Sequence, residues 1–223
     1  ALSLLIDDAK ISSLILDLRG NSGGYLDQAI KLLNEFFDSE KLLVFTKGNA
    51  RKKQEYISNA FGLFKQGELI ILIDEGSASA SEIVAGAVQD HDRGIILGSR
   101  SFGKGLVQEQ IAFDDGSLLR MTVSRYYTPS GRCIQKPYGA NKEEYLTESY
   151  LRDNLSDSLI SDISPKFTTS SGRIVYGGGG ITPDSVISNQ NEEISTHLID
   201  LYTSEFFENL VFDFVDLNRT YLS

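Results

Sequence analysis

The sequence predicts an α/β fold assembled from βα units, and three observations carry that prediction. Short apolar runs at Ser13–Leu18, Leu69–Ile73 and Gly94–Leu97 read as buried strands. Between them, Tyr25–Phe37 and Ser79–Gln89 have the spacing and residue types of helices that pack on a sheet. Glycine-, serine- and asparagine-rich corners mark the joints, RGNSGG at 19–24 and GSASAS at 76–81. Strand and helix in alternation imply a sheet with crossover helices.

Each element follows from its residues. Ala1–Ile11 carries Leu2, Leu4, Leu5 and Ile6 and is compatible with a helix, without a clear cap. Ser13–Leu18 (SLILDL) is a nearly continuous apolar run. Tyr25–Phe37 places Leu26, Ala29, Ile30, Leu33 and Phe37 on one face of a helix. Leu42–Thr46 reads as a strand, and the polar stretch Lys47–Gln66 as a strand and a loop. Ser79–Gln89 has small residues at Ala80, Ala85 and Ala87, which allow close helix packing. Val107–Ala112 and Leu118–Tyr127 form a hairpin pattern about Asp114-Asp115-Gly116. Beyond Pro137 the composition turns polar and acidic, an expected insertion over about 138–165. Glu192–Val215 reads as a terminal helical segment.

Composition sets the outer limits. The 223 residues are 41% hydrophobic and 23% charged, which suits one compact unit with a full core. The 21 basic and 31 acidic residues leave a net charge of −10, which repels phosphate backbones and argues against nucleic acid as a partner. No apolar run is long enough to span a bilayer, and no segment has the pattern of a secretory signal. A lone Cys133 forms no internal disulfide. With only His91 and His197 besides it, a cysteine- or histidine-rich metal site is excluded.

Three segments can carry chemistry. Gly76–Glu82 (GSASASE) follows a buried strand and opens a helix. A serine at such a corner presents its hydroxyl at the sheet edge, beside unpaired N–H groups that favour developing negative charge. The plain alternative is a helix-capping serine among small packing residues. Ser101–Gly105 (SFGKG) holds a lysine between glycines that permit close backbone approach. Turned inward, that lysine loses water and favours the neutral amine, which can accept a serine proton. Its plain alternative is a solvated surface turn. Arg19–Gly24 (RGNSGG) can aim a glycine N–H at a bound carbonyl, or simply make a tight βα turn. Gly98–Lys104 also matches most of a phosphate-binding loop. Gly105 replaces its magnesium-ligating hydroxyl, however, and a strand pattern follows where a helix should begin.

Taken together, these segments resemble a family. Leu14–Gly24 (LILDLRGNSGG), Gly76–Asp90 (GSASASEIVAGAVQD), Ser101–Gln108 (SFGKGLVQ) and Val123–Gln135 (VSRYYTPSGRCIQ) look like the core of carboxy-terminal processing peptidases, the tail-specific serine proteases. Gly180–Asp184 (GITPD) resembles the motif that closes that core, and the resemblance runs from about Ser13 to Asp184. The ending KFTTSSGRIVYGGGGITPD is similar to a Bacteroidetes-like branch.

The resemblance implies an α/β fold with a ClpP/crotonase-like core of βα units, a mixed sheet and C-terminal helices. It implies a Ser-Lys dyad of Ser79 and Lys104, 25 positions apart as in the family, with Gln108 positioning the lysine. Ser77 and Ser81 flank the nucleophile as its alternatives. The implied oxyanion hole is the N–H groups of Gly24 and Ala80, and Asp90 is implied as structural support. No metal or organic cofactor is called for. Expected partners are protein or peptide substrates in the periplasm or cell envelope. Family members carry a PDZ domain ahead of this core. The expectation is therefore a single protease-core domain, 1–223, that is a fragment without its PDZ domain. Two competing readings remain: a non-catalytic peptide-binding or scaffold module derived from this core, and a nucleotide-binding protein.

Overall fold

The structure is a computed structural model that describes residues 2–7, 10–49, 51–138, 164–187, 197, 200–201 and 204–219. The chain divides into two compact units, Ala1–Ser188 and Asn189–Ser223. Most of the expected polar insertion lies outside the described residues.

The first unit begins with helix α1 (Leu2–Asp7), whose Leu2 and Ile6 pack against the core. Four strands form a wholly parallel sheet in the order β1 (Ser13–Asp17), β4 (Glu68–Ile73), β5 (Ile95–Gly98), β10 (Ser185–Val186). Central β4 alternates buried Leu69, Ile71 and Ile73 with half-buried Ile70 and Leu72, as expected of a strand with neighbours on both edges. Helix α2 (Leu26–Asn34) buries Ala29 and Leu33 in the core. Helix α3 (Ala80–Asp90) connects β4 to β5, and every residue from Ser81 to Asp90 is buried. Its run of Ala, Gly and Val fits that setting, because a helix covered all round has no room for a polar face.

A second sheet is wholly antiparallel, in the order β3 (Gln54–Ile57), β2 (Leu42–Lys47), β7 (Leu118–Tyr127), β6 (Leu106–Ala112). Strands β8 (Lys166–Thr168) and β9 (Ile174–Tyr176) form a separate hairpin. Parallel and antiparallel pairings thus occupy different sheets within the mixed α/β architecture. Short connections join β2 to β3 and β6 to β7, the β2–β7 pairing is distant in sequence, and helix α3 crosses from β4 to its parallel neighbour β5. Strands β8, β9 and β10 have two or three residues each, too few to show a period-two pattern in the sequence.

In the second unit, helix α4 (Glu205–Leu217) is capped by Ser204, whose hydroxyl accepts from the Phe207 N–H at 3.3 Å. It ends two residues beyond the expected 215; residues 197, 200 and 201 within the expected 192–215 segment are also helical, and the rest of that segment before Ser204 lies outside the described residues. No helix among the described residues is long and apolar enough to cross a membrane.

Candidate active site

Strand β4 ends at Ile73, and a tight turn carries the chain into α3. Ser79 is the N-cap of that helix, with φ +55° and ψ −113°. Positive φ in a non-glycine residue costs on the order of 1–3 kcal/mol, so the surroundings must impose it. They do. The Ser77 hydroxyl donates to Leu18 O at 2.7 Å and accepts from the Asp74 N–H at 2.9 Å. The Ala78 N–H and the Ser81 hydroxyl both donate to Asn21 O at 3.0 Å. Ser77 and Ser81 are thereby tied to the turn between β1 and α2, and their hydroxyls hold the corner in shape. Ser79 sits on the strained corner itself.

The Arg19–Gly24 turn packs directly on this corner. Gly23 has φ +96°, and a Cβ there would lie 2.7 Å from Ala80 N and 2.8 Å from Ser79 Cβ. Gly24 faces open space on the same turn. The N–H groups of Ser77, Ala78, Ser79 and Ser81 all donate to neighbouring oxygens. The Ala80 N–H has no acceptor among the described residues. Gly24 and Ala80 both line one cavity of about 170 Å³, walled also by Leu18, Ala29, Leu32 and Val84. Gly23→Ala is expected to push this turn off the corner. Stability should fall by more than about 1 kcal/mol, since the position is both sterically closed and left-handed. Urea unfolding checks it; an equally stable variant would show that the close approach is unimportant.

The lysine-bearing loop, residues 101–105, packs against the corner from its other side. Its Phe102 N–H donates to Ser77 O at 3.0 Å. Gly103 and Gly105 are buried, and a Cβ at Gly103 would lie 2.9 Å from Lys136 Cβ. The Gly105 N–H donates to Gln135 Oε1 at 3.0 Å, and the Lys136 N–H to Gly103 O at 2.9 Å. The glycines serve close backbone packing, as their spacing predicts. Lys104 itself is exposed. The inward lysine expected from the sequence is not what this chain shows, because the loop buries its flanking glycines and leaves the side chain between them at the surface. Strand β6 starts at Leu106, where a phosphate-binding loop would open a helix. Gln108 lies exposed on β6 opposite Thr122, next to a register shift.

Glu82 joins the two sides, and sequence reasoning missed it. Its carboxylate is fully buried. Oε2 accepts from the Ser79 N–H and the Lys104 N–H, each at 2.8 Å. Oε1 accepts from the Ser101 hydroxyl at 2.6 Å and the Gly103 N–H at 2.7 Å. The backbone nitrogens of Ser79 and Lys104 therefore lie no farther apart than the sum of two hydrogen-bond lengths. The signal was present, since Ser79-Ala80-Ser81-Glu82 has the S-x-x-E pattern of a capping box.

At the opposite end of α3, Asp90 forms an ion pair with Arg132, and both side chains are about 1% exposed. Asp90 Oδ2 also accepts from the Ser130 N–H at 2.8 Å. His91 caps that same end and contacts Leu42 O through Nε2 at 2.6 Å. Eleven helical residues separate it from Ser79, about 18 Å along the axis, too far for direct proton transfer. In the closing motif, Asp184 accepts from Gln89 Nε2 at 3.0 Å and from the Ile96 N–H at 2.8 Å, fastening α3 to β5. Among the described residues no cluster of His, Cys, Asp and Glu could hold a metal ion.

With this geometry in place, the sequence profile of peptidase family S41 matches residues 1–143, more than half of the chain. The chain belongs to peptidase family S41. This S41 chain is 46% identical over 127 residues to a carboxy-terminal-processing protease of Bartonella bacilliformis, a match covering 56% of the chain and 29% of that protein. It is 42% identical over 125 residues to a probable CtpA-like serine protease of Staphylococcus haemolyticus, covering 56% of the chain and 25% of that protein. The matched stretch thus spans less than a third of either relative. Among solved structures, it resembles a photosystem II D1 C-terminal processing protease with TM-score 0.60 and 24% identity. That likeness covers 91% of this chain and 42% of the other. A putative peptidase of Parabacteroides merdae aligns with TM-score 0.51 and 13% identity over 86% of this chain and 50% of its own. These structural likenesses concern the fold.

Proposed function

We propose that this S41 chain is the core of a serine endopeptidase that cleaves polypeptides through a Ser79–Lys104 dyad, with substrates among exported proteins processed near their C-termini. The observation that carries this reading is the shared Glu82 oxygen, which brings the strained serine corner and the lysine loop to one point. Ser79 Oγ attacks the scissile carbonyl as the Lys104 amine takes its proton. Negative charge on the carbonyl oxygen meets the N–H groups of Ala80 and Gly24. The ammonium then returns its proton to the leaving amine, and water releases the acyl group. The 170 Å³ cavity beside Ala80 is smaller than the roughly 300–1,000 Å³ of small-molecule pockets, and its apolar walls suit one aliphatic side chain of the substrate. Gln108, four residues beyond Lys104, is the proposed partner that steers the lysine. The cell envelope is the proposed compartment, on family likeness.

Labelling with a fluorophosphonate followed by peptide mapping tests the reading, and the adduct is expected on Ser79. Lys104→Arg should be inactive at every accessible pH, because an arginine stays protonated. Lys104→His should retain a trace of activity, with the rising limb of kcat/KM displaced to lower pH. An active histidine variant with an unmoved limb would assign the base elsewhere. A protein that never labels, even in full length, fits a scaffold derived from this core instead.

A further inference from the structure

We infer that Glu82 is the positioning residue of this site: its buried carboxylate bridges the serine corner and the lysine loop and sets the distance across which the proton moves. The inference rests on the Ser79–Lys104 reading.

Four donors from two elements surround the carboxylate. Ser79 donates from the helix N-terminus, and Ser101, Gly103 and Lys104 donate from the loop. Three of them are backbone N–H groups, which can only donate. The fourth, the Ser101 hydroxyl, accepts from the Ile181 N–H at 2.7 Å, so its own proton is directed at Glu82. Each carboxylate oxygen thus receives two donors, and a proton on either would confront one of them. Burial holds the Glu82 carboxyl above the ordinary carboxylate range, and the Ser101, Lys104, Gly103 and Ser79 hydrogen bonds oppose that rise without cancelling it. The donor cage fits the anion.

Glu82 does more than fill space. The loop keeps other attachments without it: Phe102 N–H to Ser77 O at 3.0 Å, Lys136 N–H to Gly103 O at 2.9 Å and Ser101 N–H to Ile181 O at 3.1 Å. Loss of the carboxylate therefore leaves the loop docked and frees the two residues whose register matters, Ser79 and Lys104. Misplacement of reacting groups by about 1 Å costs on the order of 10²-fold in rate.

The test compares Glu82→Gln, Glu82→Asp and Ser101→Ala in the full-length protein, with Ser79→Ala and Lys104→Ala as controls. An unfolded fluorogenic polypeptide is the substrate and a fluorophosphonate is the active-site probe. Glu82→Gln keeps the shape but turns an amide NH₂ toward N–H donors. It should lower kcat by on the order of 10²-fold with KM within about threefold, and slow labelling in parallel. Glu82→Asp keeps the charge and should recover part of that loss. Ser101→Ala removes one donor and should lower kcat by a few-fold at unchanged KM. Wild-type kcat in Glu82→Gln overturns the inference, as does an unfolded Glu82→Gln alongside wild-type kcat in Ser101→Ala. Activity in Ser79→Ala or Lys104→Ala overturns the dyad instead, whichever way Glu82 behaves.

Discussion

On the proposed dyad, Ser79→Ala is expected to abolish hydrolysis of an unfolded polypeptide, while Ser77→Ala and Ser81→Ala are expected to keep a measurable rate. The expected loss is on the order of 10⁴- to 10⁶-fold in kcat, the range seen when a nucleophile that works as a unit with its base is removed. Ser77 and Ser81 differ from Ser79 in where their hydroxyls go. Theirs donate to Leu18 O and Asn21 O and hold the corner, so removing them loosens the site without removing the attacking atom. Ser77 is fully buried and its variant should also lose stability, by about 1–3 kcal/mol for the partners left unpaired. Single-turnover rates for the three variants decide the matter. A Ser79→Ala protein with wild-type turnover would remove the serine from the chemistry.

The second large effect concerns stability. Asp90→Asn leaves the Arg132 guanidinium buried without its counter-charge. Burial already pulls that guanidinium down from its ordinary range, and Asp90 is what opposes the pull. Breaking a buried pair by neutralising one member costs about 3–5 kcal/mol. Because α3 carries Ser79 at one end and Asp90 at the other, activity should fall only as far as folded protein is lost. Urea unfolding of Asp90→Asn checks the cost, and replacing both members with apolar residues should recover much of it. An Asp90→Asn protein of wild-type stability but no activity would instead place Asp90 in the reaction.

Much of this fold is legible in the sequence because its central strands are unbroken apolar runs. Ser13–Leu18 and Leu69–Ile73 become β1 and β4, and the strand-to-helix corner at Ser79 follows from GSASASE. The hairpin Leu106–Ala112 and Leu118–Tyr127 is also readable, from its turn residues. Strands β8 to β10 are not, because two or three residues show no period. Of the candidate site, the glycines at 23, 103 and 105 announce close approach by their lack of a side chain. What no local pattern could supply is the orientation of Lys104. Whether a side chain between two buried glycines points inward depends on the elements around the loop, not on SFGKG. Glu82 was hidden for another reason. A carboxylate in a helix's first turn ordinarily faces water, and only the loop folded over it makes it a buried hub.

The tie between Asp184 and the end of α3 also sets a timetable. Glu82's partner Ser101 is bracketed by Ile181, 80 residues downstream, and Ile96 waits for Asp184, 88 residues downstream. At roughly 5–20 residues per second of synthesis, the chain that completes these contacts emerges about ten seconds after the chain that needs them. Contacts of such long sequence separation also form late in folding. A nascent chain can therefore form the contacts among Ser77, Phe102, Glu82, Gly103 and Lys104 early, while those of Ser101 with Ile181 and of Ile96 with Asp184 wait for the C-terminal part of the core.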